Sequence, residues 1–470
     1  MLLLAGMASA QAQNLPAEVE AALVRAKLPR ESISLLVVDA EGRAAPRLSH
    51  RAQVPMNPAS VMKLVTTYAA LDLLGPAYTW NTPVYIEGAV RDGTLYGNLT
   101  IRGVGDPKLV LERMWLLLRR VQGLGVRSIS GDIILDHSAF AVPETDPGSF
   151  DGEPLRPYNA APDALLLNYK SVVLTFVPDR TASNAQIQFD PPLAGVSVPA
   201  TVPLSAGECG DYRATLRADF SDPARVRFAG TYPASCQEKI WPLAYADPRS
   251  YSVRAIEGLW QAMGGQLQGT VRVGKLAVAA GTTPVPVFEL VSPSLTEVIR
   301  DINKFSNNVM AQQVFLTMGL TQRSSGSSGA PGGSMESARE VIRRWWPERI
   351  GGGSEAPVMD NGSGLSRNER ISAQALARML QVAYLSPQMP ELMSSLPITG
   401  VDGTMRRNRS RAAGNAHLKT GSLRDVVALA GYVHGASGRR HVLVAIINHA
   451  NAGAGRPVLD ALLDWAVRDN

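Results

Sequence analysis

The feature that most constrains this chain is a change of texture partway along it. From about Thr82 to Val287, strand-like runs such as Val84–Ile86, Leu95–Ile101, Ile133–Leu135 and Val172–Val177 alternate with turn signals such as Asp92-Gly93. One helical stretch, about Pro107 to Leu124, interrupts them. On either side the pattern is mixed. Before the block come helical periodicity over residues 17–27, the apolar run Ile33–Val38, and the stretch Val61–Leu74, which Pro58 and Ser60 precede and Gly75 follows. After it come a long helix candidate over Thr296–Met318, a helix near Ser372–Leu385, strands Val426–Val433 and His441–Ile447, and an amphipathic helix near Pro457–Val467. Residues 323–334 are rich in Ser, Gly and Pro and read as a mobile loop. The pattern predicts one α/β domain split by a large, mostly β insertion. A length of 470 residues suits a chain of two to four domains.

Composition narrows the function. A hydrophobic fraction of 45% with 19% charged residues supplies a sizeable core. The net charge is +5, but Lys and Arg are dispersed, which argues against nucleic acid as a partner. The one cluster, Arg406, Arg407, Arg409 and Arg411, reads as a solvated loop. Residues 1–13 read as a signal-peptide remnant, an apolar run ending in Ala8-Ser9-Ala10, without the usual positive start. No later stretch is long and apolar enough to span a membrane, so membrane association is expected to be peripheral at most. Cys209 and Cys236 allow one disulfide in an exported chain. A bond closing that loop stabilises by roughly 3 kcal/mol. Two free buried thiols are the alternative in a cytosolic chain. Scattered histidines give no metal motif, and no cofactor is expected.

Three short motifs carry chemistry. Ser60-Val61-Met62-Lys63 places a hydroxyl and an amine one helical turn apart on one face. A serine needs a base to become a nucleophile, and a lysine of lowered proton affinity serves. Lys419-Thr420-Gly421-Ser422, next to a β-rich run, offers a cation and two hydroxyls to a carboxylate, and a glycine that lets a ligand approach. Ser306-Asn307-Asn308 supplies a proton-relaying hydroxyl and an amide. Ser366-Arg367-Asn368 competes for that role, but only Ser306 opens a helix-like run. Any one motif is weak alone, while the three in this order match a pattern typical of β-lactamases and penicillin-binding proteins.

With these motifs the chain resembles the D-alanyl-D-alanine carboxypeptidase/endopeptidase family, the class C low-molecular-mass penicillin-binding proteins. The long interval between the first two motifs marks that family. Gly103–Pro107, Pro157–Ala160, Asn361–Arg367 and Leu396–Thr404 resemble it too. The resemblance implies a transpeptidase/β-lactamase-like α/β domain over 14–81 and 288–470. It also implies two nested inserted domains, one over 82–97 and 160–287 and one over 98–159. By motif match, Ser60 is the acylated nucleophile and Lys63 its base, with Ser306 and Asn308 beside them. Lys419 and Thr420 then hold the substrate carboxylate, and the backbone N–H groups of Ser60 and Ser422 form the oxyanion hole. The resemblance also brings Asp151 and Arg367 toward the site, while Arg424 stands where some relatives carry an uncharged amide.

The expected activity is hydrolysis of D-Ala-D-Ala termini or D-Ala cross-links in the periplasm, on peptidoglycan peptides, with β-lactams as inhibitors. A β-lactamase on the same fold is one rival. It needs a group that activates the deacylating water, and none is evident beyond Ser306. A non-catalytic peptidoglycan-binding protein is the other, and it has no need of Ser60, Lys63 and Lys419 together.

Overall fold

The apolar runs near the two chain ends lie side by side in one sheet. In the computed structural model, residues 14–278, 281–322, 332–351 and 353–469 are described. The expected signal segment 1–13 and residues 323–331 of the expected loop lie outside them. Contacts divide the chain into two units, one from Met1–Ala77, Leu295–Met318 and Ala338–Asn470, the other from Tyr78–Ser294 and Gly319–Ser337.

The elements that build the first unit are, in chain order, α1 (Ala17–Ala26), β1 (Ile33–Asp39), β2 (Leu48–His50), α2 (Lys63–Leu74), α3 (Leu295–Phe305), α4 (Asn308–Thr321), α5 (Met335–Arg349), α6 (Ala373–Tyr384), α7 (Met389–Ser395), β3 (Ala416–Leu423), β4 (Val426–His434), β5 (Arg440–Asn448) and α8 (Arg456–Arg468). The strands form an antiparallel sheet in the order β3-β4-β5-β1-β2. β1, β4 and β5 are buried almost end to end, as strands covered on both faces must be. Ile33, Leu35 and Val37 of β1 share one core with Val19 and Leu23 of α1 and Leu462 and Leu463 of α8. α6 covers the opposite face, where the Tyr432 hydroxyl donates to Leu380 O at 2.8 Å. α2 is buried over its first nine residues, Lys63 to Leu71, so its apolar content reflects burial on all sides.

Two expectations about helices change. Thr296–Met318 is two helices, because Ser306 takes a left-handed conformation, φ 57°, that no helix interior tolerates. The Asn307 side chain then accepts from Met310 N at 3.0 Å and caps α4. α5 and α7 were not anticipated.

The second unit is mostly β. A hairpin of Asn81–Arg91 and Thr94–Arg102 turns at Asp92-Gly93, both with positive φ as a two-residue hairpin loop requires. It joins Ser128–Ile129, Ile133–Asp136, Gln266–Leu267, Val271–Val273 and Phe288–Val291 in a seven-stranded sheet. A five-stranded sheet draws on residues between Ser171 and Ala244. The expected boundary at 97/98 falls inside the strand Thr94–Arg102, and the strands of the five-stranded sheet lie in sequence between Ile133–Asp136 and Gln266–Leu267 of the seven-stranded one. Besides the anticipated helix, here Leu111–Gly123, a second long one runs over Tyr251–Ala262. Cys209 and Cys236 are disulfide-bonded. Among the described residues no helix is long and apolar enough to cross a membrane.

Candidate active site

Ser60 lies in a short 3-10 turn, Ala59–Met62, that leads into α2. Ala59 has φ 47°, and the Asn57 side chain accepts its N–H at 2.8 Å. Asn57 is held in turn by Asn448 of β5, through N–H to Oδ1 at 2.8 Å and Nδ2 to O at 2.9 Å. The turn is thus tied to the sheet and leaves Ser60 half-buried. The next turn of helix brings Lys63 Nζ to 2.9 Å from Ser60 Oγ.

Lys63 is fully buried, and its amine meets two further oxygens: Asn308 Oδ1 at 2.6 Å and the Ser363 carbonyl, a close contact. Its proton affinity lies well below that of an ordinary lysine. Burial is the main cause, the Lys419 cation adds to it, and the Glu369 carboxylate works against it. The break between α3 and α4 turns the Ser306 hydroxyl to the other amine, 2.8 Å from Lys419 Nζ. Lys419 is also fully buried, donates to Thr420 O at 2.7 Å, and is pushed down by burial to a pKa of about 7.

Lys419 sits on edge strand β3, which runs against the Ser60 turn. Gly421 marks the closest approach: a Cβ there would stand 2.4 Å from Pro58 O and 3.2 Å from Ser60 N. Thr420 Oγ1 donates to Thr404 Oγ1 at 2.8 Å, and Ser422 is exposed. The structure thus brings Ser60, Lys63, Ser306, Asn308, Lys419, Thr420 and Gly421 into one cluster. Ser366 plays a different part, donating to Asp360 Oδ2 at 2.6 Å and accepting from Asn57 through its carbonyl.

Arg367 and Arg424 line a cleft of the first unit beside that cluster. Arg367 pairs with Asp425 at 2.7 Å, and with Arg370, Arg424 and His449 they line a cleft of about 530 Å³ that also touches Asn57. Asp151 belongs to the second unit, where its carboxylate accepts from the Tyr158 hydroxyl and Asn159 Nδ2, both at 2.8 Å. The motifs did not single out Asn57, Thr404, Ser363 or Glu369. Ser363 and Thr404 lie in stretches already notable for their resemblance to the family. Asn57 immediately precedes the Pro-Ala-Ser sequence, where an Asx turn is a readable signal.

The model of the D-Ala-D-Ala carboxypeptidase 3 (S13) family matches residues 15–468. The chain belongs to that family. The D-alanyl-D-alanine carboxypeptidase of Actinomadura sp. (strain R39) is 28% identical over 428 residues, which is 86% of this chain and 76% of the relative. The D-alanyl-D-alanine carboxypeptidase DacB of Haemophilus influenzae is 23% identical over 84% of this chain and 81% of the relative. The crystal structure of penicillin-binding protein 4 from Haemophilus influenzae aligns with a TM-score of 0.72 at 21% identity, covering 95% of this chain and 98% of that one. A second structure of that protein, complexed with a β-lactam, aligns with a TM-score of 0.70 at 20% identity over 96% and 98% of the two chains. At this identity the likeness shows the fold, and the family member described here has the transpeptidase-like α/β domain with inserted domains.

Proposed function

We propose that the protein is a serine DD-peptidase that cleaves D-Ala-D-Ala termini and D-Ala cross-links of peptidoglycan through an acyl-enzyme on Ser60, and that β-lactams inhibit it by acylating the same atom. One observation carries the reading. Two oxygens, Asn308 Oδ1 and Ser363 O, take two amine protons of Lys63 and leave its third direction to Ser60 Oγ at 2.9 Å. A neutral amine so held presents its lone pair to the hydroxyl proton. Burial and the neighbouring Lys419 favour that neutral form.

In this reading Ser60 Oγ attacks the carbonyl of the penultimate D-Ala and its proton passes to Lys63. The backbone N–H groups of Ser60 and Ser422 receive the oxyanion. Ser306 gives its hydroxyl proton to the departing amine and takes one from Lys419 Nζ, 2.8 Å away, which the deacylating water later restores while Lys63 returns its proton to Ser60. Lys419 and Thr420 hold the substrate's terminal carboxylate, whose charge repays the cost of a buried cation. Water then hydrolyses the ester. Arg367, Arg424 and Asp151 belong to recognition of the rest of the peptide. The reading places the protein in the periplasm after export, with the first unit as catalytic domain and the second as the insertion.

The test is intact-mass measurement after incubation with benzylpenicillin, with Ser60→Ala alongside. A lasting adduct on the unaltered protein alone, mapped to the Ser60 peptide, is the expected result. Rapid drug loss with no adduct points to a β-lactamase on this fold. Intact drug and no adduct sinks the catalytic reading and leaves a peptidoglycan-binding protein.

A further inference from the structure

The Ser363 carbonyl that meets Lys63 belongs to a loop, residues 360–364, that has no regular structure of its own. Side chains from both sides hold it. Thr66, one turn beyond Lys63 on α2, donates to Gly362 O at 2.6 Å. The Asn361 side chain accepts from Ser363 N at 2.9 Å and donates to Leu365 O at 2.9 Å. On the other side stands Glu369, completely buried, whose Oε1 accepts three consecutive backbone N–H groups: Asp360 at 3.1 Å, Asn361 at 3.2 Å and Gly362 at 3.0 Å. Its Oε2 has no hydrogen-bond partner among the described residues. A half-satisfied buried carboxylate is costly for mere packing, and an apolar side chain would fill the same space at lower cost.

We propose that Glu369 is a positioning residue for acylation: its carboxylate gathers the three N–H groups of the loop and so holds the Ser363 carbonyl on Lys63, which keeps the amine's lone pair on Ser60. The inference rests on the acyl-enzyme reading above. The geometry gives it content. An amine rotates freely about its terminal bond, and two fixed acceptors are needed to stop it. Asn308 supplies one from α4, and the loop supplies the other. If the loop relaxes, the lone pair wanders while Ser60 and Lys63 both remain in place.

Glu369 also acts through its charge. Lys63 faces the Lys419 cation from β3 and the Glu369 carboxylate from the loop side. Glu369 itself faces Asp360, which Arg339 approaches at 3.7 Å. Burial raises the Glu369 carboxyl while the three N–H groups lower it. An ionised Glu369 raises the proton affinity of Lys63, so its removal lets Lys63 lose its proton at lower pH.

The experiment measures the rate of acylation by a fluorescent penicillin against pH, with melting temperatures, for the unaltered protein, Glu369→Gln and Glu369→Asp. Glu369→Gln keeps an acceptor of the same reach and removes the charge. Its plateau rate is expected to stay near the parent's while its acidic limb moves to lower pH, whereas the ten- to hundred-fold loss that about an ångström of misplacement brings is expected of a shorter carboxylate. Glu369→Asp keeps the charge but is too short to reach all three N–H groups, so its plateau falls while its acidic limb stays. If Glu369→Gln does not fold, Glu369→Asp decides alone: an unaltered plateau overturns the proposal. Folded variants with unaltered rates and limbs overturn it, as does a Glu369→Gln acidic limb that stays in place. An unaltered protein that forms no adduct defeats the acyl-enzyme reading itself, whereas variants that acylate like a working parent defeat this inference alone.

Discussion

Two regions of the first unit, joined through Asn57, are built on opposite principles. Around Ser60 the charged groups are buried, and each amine is surrounded by fixed oxygens from the Ser60 turn, the break before α4, α4 itself, β3 and the loop 360–364. In the adjoining cleft the charges stand in solvent, and the ion pair Arg367–Asp425 joins side chains that are 44% and 53% exposed. Buried charges are strong and unforgiving of displacement, while exposed ones are weak, mobile and screened. A site that must break a bond needs the first arrangement. One that sorts peptides by charge is served by the second. The contrast predicts large effects from small changes in the cluster and small effects from large changes in the cleft.

The largest effect is expected from one methyl group. Gly364 has φ 78°, and a Cβ there would stand 2.1 Å from Ala59 O and 2.7 Å from Ser60 Cα, both backbone atoms. Gly364→Ala must push the loop off the Ser60 turn or strain both. Stability should fall by about 1–3 kcal/mol, and acylation by about a hundred-fold from misplacement. Melting curves and acylation rates check this, with Arg424→Ala as the control from the cleft. Parity between the two variants in acylation rate would erase the contrast.

Next comes pH. Lys419 is lowered to about 7 in the folded protein against an ordinary value of 10.5, and Lys63 is lowered in the same direction. Between those values the unfolded chain binds more protons than the folded one, so stability rises with pH. The penalty is complete below about 7 and gone above about 10.5. Each buried lysine contributes a slope of up to about 1.4 kcal/mol per pH unit within its window. Lys419→Met should flatten the rise of melting temperature between pH 7 and 9 by about that contribution. An unchanged slope would show that Lys419 is not buried as a partly neutral amine.

How much of this was readable in the residues depends on whether the cause was local. The Ser60–Lys63 pairing follows from one helical turn, and the edge strand with Lys419 from its β-rich neighbours. The break at Ser306 was not readable, since residues 296–317 hold no Gly or Pro and a continuous helix is the local preference. Tertiary contacts impose it, among them Asn303 Nδ2 to Ser395 Oγ at 2.9 Å. The helix Tyr251–Ala262 was hidden by Gly258, a poor helix former. Its reason is distant in sequence: a Cβ there would stand 2.4 Å from Pro192 O. The boundary at 97/98 came with the resemblance, although Leu95–Ile101 already read as one strand; that strand pairs with 128–136, which pair in turn with 266–273 far along the chain. Glu369 was overlooked because a glutamate among Asn and Arg reads as a solvated loop, and the three N–H groups it binds come together only through the fold of 360–362.

The smallest expected effect is also the one that best isolates the cleft. Asp425→Ala removes one partner of Arg367 and leaves Arg370, which donates to the carbonyls of Arg367 and Glu369 at 2.7 and 2.8 Å, in place. An exposed pair of this kind contributes about 0.2–1 kcal/mol, so the melting temperature should barely move. Acylation by benzylpenicillin should not change, since the Asp425 carboxylate pairs with Arg367 in the open cleft. The cleft, however, now holds Arg367, Arg370 and Arg424 without an adjoining carboxylate. KM for a peptide with an acidic side chain should therefore fall several-fold at low salt, and the difference should vanish as salt is raised, because open charges are screened within about 8 Å at physiological ionic strength. A KM that ignores both the substitution and the salt would remove the cleft from peptide recognition. A kcat that moves instead would mean that the open charges reach the buried ones, and that the two regions are not separate.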